Sequence, residues 1–226
     1  MFDAYIITTQ NAFESDKVRA LTKRCVESCK AHNIRPILFD AVVPATLEQY
    51  YPGWPVREDY RRRLLDNYRK KAGKEPTKEI ENRMIVMQQC MTMSHYEVRK
   101  KIIEYGYPMI VLEHDAIVQK NLELAQPYDR FAVNLCRRNQ STHGYALGPV
   151  AAKKYNDIYE TLGFAGHDNM NRYINENTVI KISPYEKTGF PVVVGNALHE
   201  SQWDTHRGAV KTHLDYVPTT TSGTYK

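Results

Sequence analysis

The sequence predicts an α/β protein built on a mostly parallel central sheet. Three observations carry that prediction. The first forty residues read strand, helix, strand, an order that closes through a right-handed crossover into parallel pairing. Pro108-Met-Ile-Val-Leu112 is a short apolar run of the kind found in a strand buried on both faces, and it stops abruptly at Glu113-His114-Asp115. Strand-like and helical segments then alternate as far as about residue 195.

Taken in order, Asp3 to Thr9 is short, apolar and β-branched, as a buried strand is, and Thr8-Thr9-Gln10-Asn11 reads as the loop leaving it. Ser15 is placed to cap a helix reaching about His32, with Val18, Leu21, Cys25, Val26 and Cys29 at three-to-four spacing along its apolar face. Ile34 to Phe39 gives a second strand, ended by Asp40. Residues 44–56, rich in Pro, Tyr and Trp, read as a structured loop. From 57 to 83 the pattern is helical and basic, interrupted near Gly73 and Pro76. A long helix follows from about Lys78 to Tyr105 and stops at Gly106. Residues 130–135 and 144–148 read as strands, and Pro149 opens a helix to Leu162, proline being well tolerated in a first turn. A short helix is expected after Asp168, then strands near 178–182 and 191–195. The organisation read is one domain over 1–203, carrying a basic helical insert at 44–83, and a Thr-rich tail at 204–226 that frays. There is no internal repeat.

Of the 226 residues, 42% are hydrophobic and 25% charged, which excludes wholesale disorder and a collagen-like chain. No stretch approaches the roughly 18 apolar residues of a membrane span. The opening Met-Phe-Asp-Ala-Tyr-Ile-Ile has no basic region ahead of its apolar run, so a cytoplasmic address is expected, free or peripheral to a membrane. Cys25, Cys29, Cys90 and Cys136 lack the spacing of a zinc site and read as reduced thiols. The net charge of +5 is concentrated: residues 57–83 hold ten Lys/Arg against six Asp/Glu. Such a stretch either grips phosphates or an anionic surface, or is a solvated helix face.

In an open α/β sheet, ligands bind beyond the carboxyl ends of the strands. Three polar clusters fall there: Thr8-Thr9-Gln10, Asp40 and Glu113-His114-Asp115. Two carboxylates one residue apart at a strand end are hard oxygen donors suited to Mn²⁺ or Mg²⁺, or else two solvated acids; spacing alone leaves both readings open. A histidine brought back to them would complete a mixed site, and His199, after the last expected strand, is the candidate. Asp168 is placed either as a general base or as the cap of the helix after it. Neither a Walker A loop nor a GxGxxG motif is present.

Four ordered blocks carry a resemblance. They are Ile37-Leu-Phe-Asp-Ala41; Met93-Ser94-His95; Tyr107-Pro-Met-Ile-Val-Leu-Glu-His-Asp-Ala-Ile-Val118; and Gly144-Tyr-Ala-Leu-Gly-Pro-Val-Ala-Ala-Lys-Lys154. In order and separation they resemble glycosyltransferase family 25, the lipopolysaccharide-biosynthesis and collagen-type galactosyltransferases, over roughly residues 3–200, with a bacteriophage member among the readings. The family pattern has an acid where His114 stands and a glutamate where Gln88 stands.

The resemblance implies a GT-A-like fold with a Rossmann-like sheet, a nucleotide-sugar donor (usually a UDP-sugar), Mn²⁺ or Mg²⁺, and inversion at the anomeric carbon. It implies that Asp115 holds the metal and that Glu113 touches the metal or the ribose, with His199 the third metal ligand that the residues themselves offer. Thr8, Thr9, Gln10, Asp40, Gln88, Ser94, His95, Glu113, His114, Gly144 and Tyr145 would line the donor site, and Asp168, with Asp115, would serve catalysis. The acceptor is a cell-surface glycan or the hydroxymethylated base of phage DNA, with a protein hydroxylysine third. For either anionic acceptor, Arg61, Arg62, Arg63, Arg69, Lys70 and Lys71 would meet phosphates. The alternative is a non-catalytic nucleotide- or nucleic-acid-binding module derived from the same fold.

Overall fold

The computed structural model describes residues 2–9, 16–122, 132–136, 143–166, 182–184 and 192–194. Strand β1 (Phe2–Thr8), helix α1 (Asp16–Ala31) and strand β2 (Ile34–Asp40) form the expected opening unit, β1 and β2 pairing in parallel from Phe2↔Ile34 to Thr8↔Asp40. Asn33 turns the chain between helix and strand with φ 57, a left-handed conformation that asparagine tolerates. The α1 stripe Val18, Leu21, Cys25 and Cys29 is buried, as its spacing predicts.

Residues 44–56, expected to be a loop, contain one helical turn, α2 (Leu47–Tyr50), anchored by buried Leu47. The basic stretch is two helices, α3 (Glu58–Ala72) and α4 (Lys78–Tyr105), separated where Gly73 and Pro76 predict. Gly73 closes α3 with φ 66 and Gly106 closes α4 with φ 75, conformations that a Cβ would strain. Thr77 caps α4 by accepting from the Ile80 amide. Strands β3 (Met109–Glu113), β5 (Ala132–Asn134) and β6 (Gly144–Leu147) and helix α5 (Pro149–Leu162) fall where expected. An unexpected strand, β4 (Ala116–Val118), pairs antiparallel with β8 (Val192–Val194), and β7 (Ile182–Pro184) starts where a strand was expected to end. The short helix expected after Asp168 lies outside the described residues, as does the tail.

The main sheet has the order β2-β1-β3-β6-β5-β7. Every strand but β6 runs the same way, so the architecture is α/β with a mostly parallel sheet. Alternation along β1 sorts the core into two layers. Tyr5 and Ile7 face α4 and α5 with Val98, Ile102, Tyr155 and Tyr159, whereas Ala4 and Ile6 face α1 with Cys25 and Cys29. The basic helix is tied to this core at its start. Tyr60 is buried with its ring 5.5 Å from that of Phe164, and Phe164 exchanges backbone hydrogen bonds with Pro55 and Arg57. Among the described residues, no helix is long and apolar enough to cross a membrane.

Candidate metal centre

Parallel register brings the polar strand ends together. Thr8 lies opposite Asp40, and Ile7 opposite Glu113, so three clusters far apart in sequence share one sheet edge. The antiparallel strand completes the edge. Because Gly144 pairs with Leu112, the residue before β6, His143, stands beside Glu113, whose amide donates to the His143 carbonyl at 3.1 Å.

Glu113, Asp115 and His143 each place one ligand atom within 4.8 Å of the others. Nδ1 of His143 is 2.6 Å from Oε2 of Glu113 and 3.3 Å from Oδ1 of Asp115. Asp115 is 4% exposed, and among the described residues its buried Oδ1 meets no donor other than the His143 ring 3.3 Å away. A buried carboxylate oxygen in that position carries a desolvation penalty that a cation would offset. Two carboxylates and an imidazole are the donor chemistry of Mn²⁺ and of comparable divalent ions, so the residues present fit such an ion.

Without an ion, the charge of the cluster is balanced by His143, whose Nδ1 must give up its proton before it can hold a metal. Burial disfavours the His143 cation, but Glu113 and Asp115 outweigh it and hold the imidazole well above its ordinary value. Burial likewise works against ionised Glu113 and Asp115, yet His143 beside both, and His95 beside Glu113, hold the two carboxyls below their ordinary range. The charged groups therefore sustain one another in a buried place. The thiol of Cys25 donates to the Glu113 carbonyl at 3.8 Å, fixing the strand end from the α1 side.

The other expected site residues are distributed as follows. Thr8 is buried and its hydroxyl lies 2.9 Å from that of Thr22; Thr9 is half-buried and Asp40 exposed. Ser94 is buried, accepting from the Val42 amide at 2.9 Å and donating to the Cys90 carbonyl at 2.8 Å, so it ties α4 to the chain leaving β2. Gln88 is half-buried and accepts from the Tyr60 hydroxyl at 2.9 Å. His95 and Tyr145 are buried behind Glu113, Gly144 is buried at the start of β6, and His114 forms the turn between β3 and β4. Gln10, Asp168 and His199 lie outside the described residues. On α3, Arg61 pairs with Glu81, and Arg69 with Asp66 and Glu75, while Arg62, Arg63, Lys70 and Lys71 are exposed.

The sequence reading missed His143. It follows Asp115 by 28 positions in a segment with no periodic pattern. The available signal was the strand expected at 144–148: if that strand runs antiparallel beside the one ending at Leu112, its leading residue must meet Glu113.

No family model matches the sequence, and no curated protein matches it. One solved structure similar to this chain is that of a glycosyltransferase involved in the glycosylation of the major capsid of PBCV-1. It is 10% identical, with 95% of this chain and 100% of that chain covered and a TM-score of 0.42. The functional reading therefore rests on the site itself.

Proposed function

We propose that this chain is a metal-dependent inverting glycosyltransferase that moves a sugar from a nucleotide-sugar donor, a UDP-sugar, to the hydroxyl of a cell-surface glycan or of a hydroxymethylated DNA base. The observation that carries this reading is the Glu113, Asp115 and His143 cluster at the carboxyl end of a mostly parallel sheet, flanked by Thr8 and Asp40. It joins the resemblance of the four sequence blocks to glycosyltransferase family 25.

Glu113, Asp115 and His143 would hold Mn²⁺ or Mg²⁺, which when bound neutralises charge on a diphosphate leaving group. The chain's own residues have separate tasks. Thr9 and Asp40, at the ends of β1 and β2, offer a hydroxyl and a carboxylate to a nucleoside placed along the edge, the position at which nucleotides bind in sheets of this kind. Asp115 supplies fixed negative charge where the cation must sit, and its burial keeps that charge from being screened by water. Asp168 is the proposed base that takes the acceptor proton.

The test is calorimetric titration of UDP with and without Mn²⁺, on wild type and Asp115→Ala, followed by a coupled UDP-release assay. Metal-dependent binding in wild type that disappears in Asp115→Ala supports the reading. Equal UDP binding and turnover in the variant would overturn it.

A further inference from the structure

Glu113 is held from behind by a line of buried polar groups. Its Oε1 lies 3.4 Å from Nε2 of His95, a long hydrogen bond, and Nδ1 of the same ring lies 2.9 Å from the Tyr145 hydroxyl. His95 is 1% exposed and Tyr145 6%. Behind Tyr145 stands Arg99, fully buried, whose guanidinium hydrogen-bonds the tyrosine hydroxyl. Arg99 is itself fixed: Nε donates to Oδ1 of Asn156 at 2.8 Å, and the guanidinium lies over the rings of Tyr155 and Tyr159.

Donor and acceptor chemistry gives this line one direction. A guanidinium can only donate, and a carboxylate can only accept. The Tyr145 oxygen therefore accepts from Arg99, and its own proton points onward to Nδ1 of His95. Nδ1 accepting means that the ring proton of neutral His95 is on Nε2, the nitrogen facing Glu113. His95, 1% exposed between a hydroxyl that donates and a carboxylate that accepts, satisfies both with a single ring proton.

The placement of these groups follows from the fold. His95 and Arg99 are four apart on α4 and so share a helix face. Tyr145 is two residues beyond His143, and positions two apart along an extended strand share a face. The start of β6 thus meets both oxygens of Glu113, directly through His143 at Oε2 and through Tyr145 and His95 at Oε1.

We propose that Arg99, Tyr145 and His95 are positioning residues: a buried relay that fixes one tautomer of His95, commits Oε1 of Glu113 to it, and leaves Oε2 aimed at the metal centre. The part of this role that concerns metal rests on the function proposed above; the tautomer does not. Outer groups of this kind orient metal ligands, and their loss typically lowers metal affinity about 10- to 100-fold.

The experiment compares wild type with Tyr145→Phe, which keeps the ring and removes only the hydroxyl. Nitrogen NMR of the full chain labelled at histidine reads the His95 tautomer without metal, and calorimetry with Mn²⁺ alone reads affinity. The expected result is a single Nε2-protonated His95 in wild type, an Nδ1 signal moved in Tyr145→Phe toward that of a ring nitrogen without a hydrogen-bond donor, and a Mn²⁺ dissociation constant raised at least about tenfold. Arg99→Met, which leaves Tyr145 in place, should move the Nδ1 signal in the same direction by less. An Nδ1 signal unchanged in Tyr145→Phe would overturn the relay, and a moved signal with unchanged Mn²⁺ affinity would overturn its role toward metal. A wild type that shows the tautomer but binds no Mn²⁺ refutes the metal centre and with it the relay's metal role, while the relay itself stands.

Discussion

Replacing His143 by alanine should destabilise the metal-free protein more than its partial exposure suggests. The imidazolium lies 2.6 Å from one carboxylate and 3.3 Å from the other. Without it, two carboxylates with oxygens no more than 4.8 Å from the ring nitrogen and from each other face one another across a small cavity. At an effective dielectric of 20, two unit charges about 5 Å apart repel by roughly 3 kcal/mol. Proton uptake by one carboxyl relieves part of this, leaving an expected loss of about 2 kcal/mol at neutral pH, less than the roughly 3–5 kcal/mol of breaking a fully buried ion pair because His143 is partly exposed. For a chain of this size that corresponds to a Tm lower by about 4–8 °C. The assay is thermal unfolding in a chelator, repeated in excess Mn²⁺. An ion at 100 times its dissociation constant adds about 2.7 kcal/mol to wild type. His143→Ala, having lost a ligand, should gain less at the same concentration. If His143→Ala unfolds within a degree of wild type in chelator, the cluster is not a tight electrostatic unit. If the variant and wild type gain equally from Mn²⁺, His143 is no ligand.

In metal-free buffer the same cluster gives stability a definite pH shape. The raised His143 contributes fully below its ordinary 6.5 and loses its contribution as pH rises through its elevated value; depressed Glu113 and Asp115 contribute above their ordinary 4.5 and 3.8 and lose theirs as pH falls through their lowered values. Chemical denaturation should therefore show the cluster's full contribution between about pH 4.5 and 6.5, with an alkaline decline that His143→Ala flattens. Gly163 has φ 80, and a Cβ there would come within 2.6 Å of the Pro55 carbonyl oxygen, so Gly163→Ala should lower stability by about 2 kcal/mol, read as a lower Tm. An unchanged Tm would mean that the Pro55–Phe164 connection yields easily. If DNA is the acceptor, binding of a hydroxymethylated duplex should weaken steeply with salt, and Lys70→Ala with Lys71→Ala should reduce the log–log slope by about 1.8. A slope near zero in wild type removes nucleic acid and leaves the glycan.

The elements that were legible in the sequence are those whose signals are local. Pro149 starts α5, Gly73 and Gly106 stop α3 and α4, and the apolar run before Glu113 is β3. The parallel pair β1 and β2 was legible too, because a strand-helix-strand order leaves few ways to close, whereas the place of β3 beside β1 was not. What stayed hidden depends on partners remote in sequence. Ala116-Ile-Val118 looks like the overrun of β3, and only pairing with Val192–Val194 makes it a separate strand. Pro55 to Arg57 carries no periodicity, and its order comes from Phe164. Tyr145 and His95 each look like single polar residues on apolar elements; their alignment behind Glu113 needs the α4 face and the β6 register together.

The histidine at position 114 illustrates how topology changes the meaning of a motif. In linear sequence, Glu-His-Asp looks like a triplet of acids weakened at its centre. In the fold, β3 ends at Glu113 and β4 begins at Ala116, so His114 and Asp115 make the turn between two strands of different sheets. The turn returns Asp115 to Glu113, and the third member of the cluster arrives from the start of β6. Position 114 supplies none of the three clustered ligand atoms, and its proximity adds to the lowering of Asp115. His114→Asp should therefore raise the proton affinity of Asp115 by adding a like charge beside it, and should weaken Mn²⁺ binding at pH 5 relative to pH 7. Tighter Mn²⁺ binding at pH 5 in that variant would show that the turn residue itself is a ligand and that the cluster has been drawn one position short.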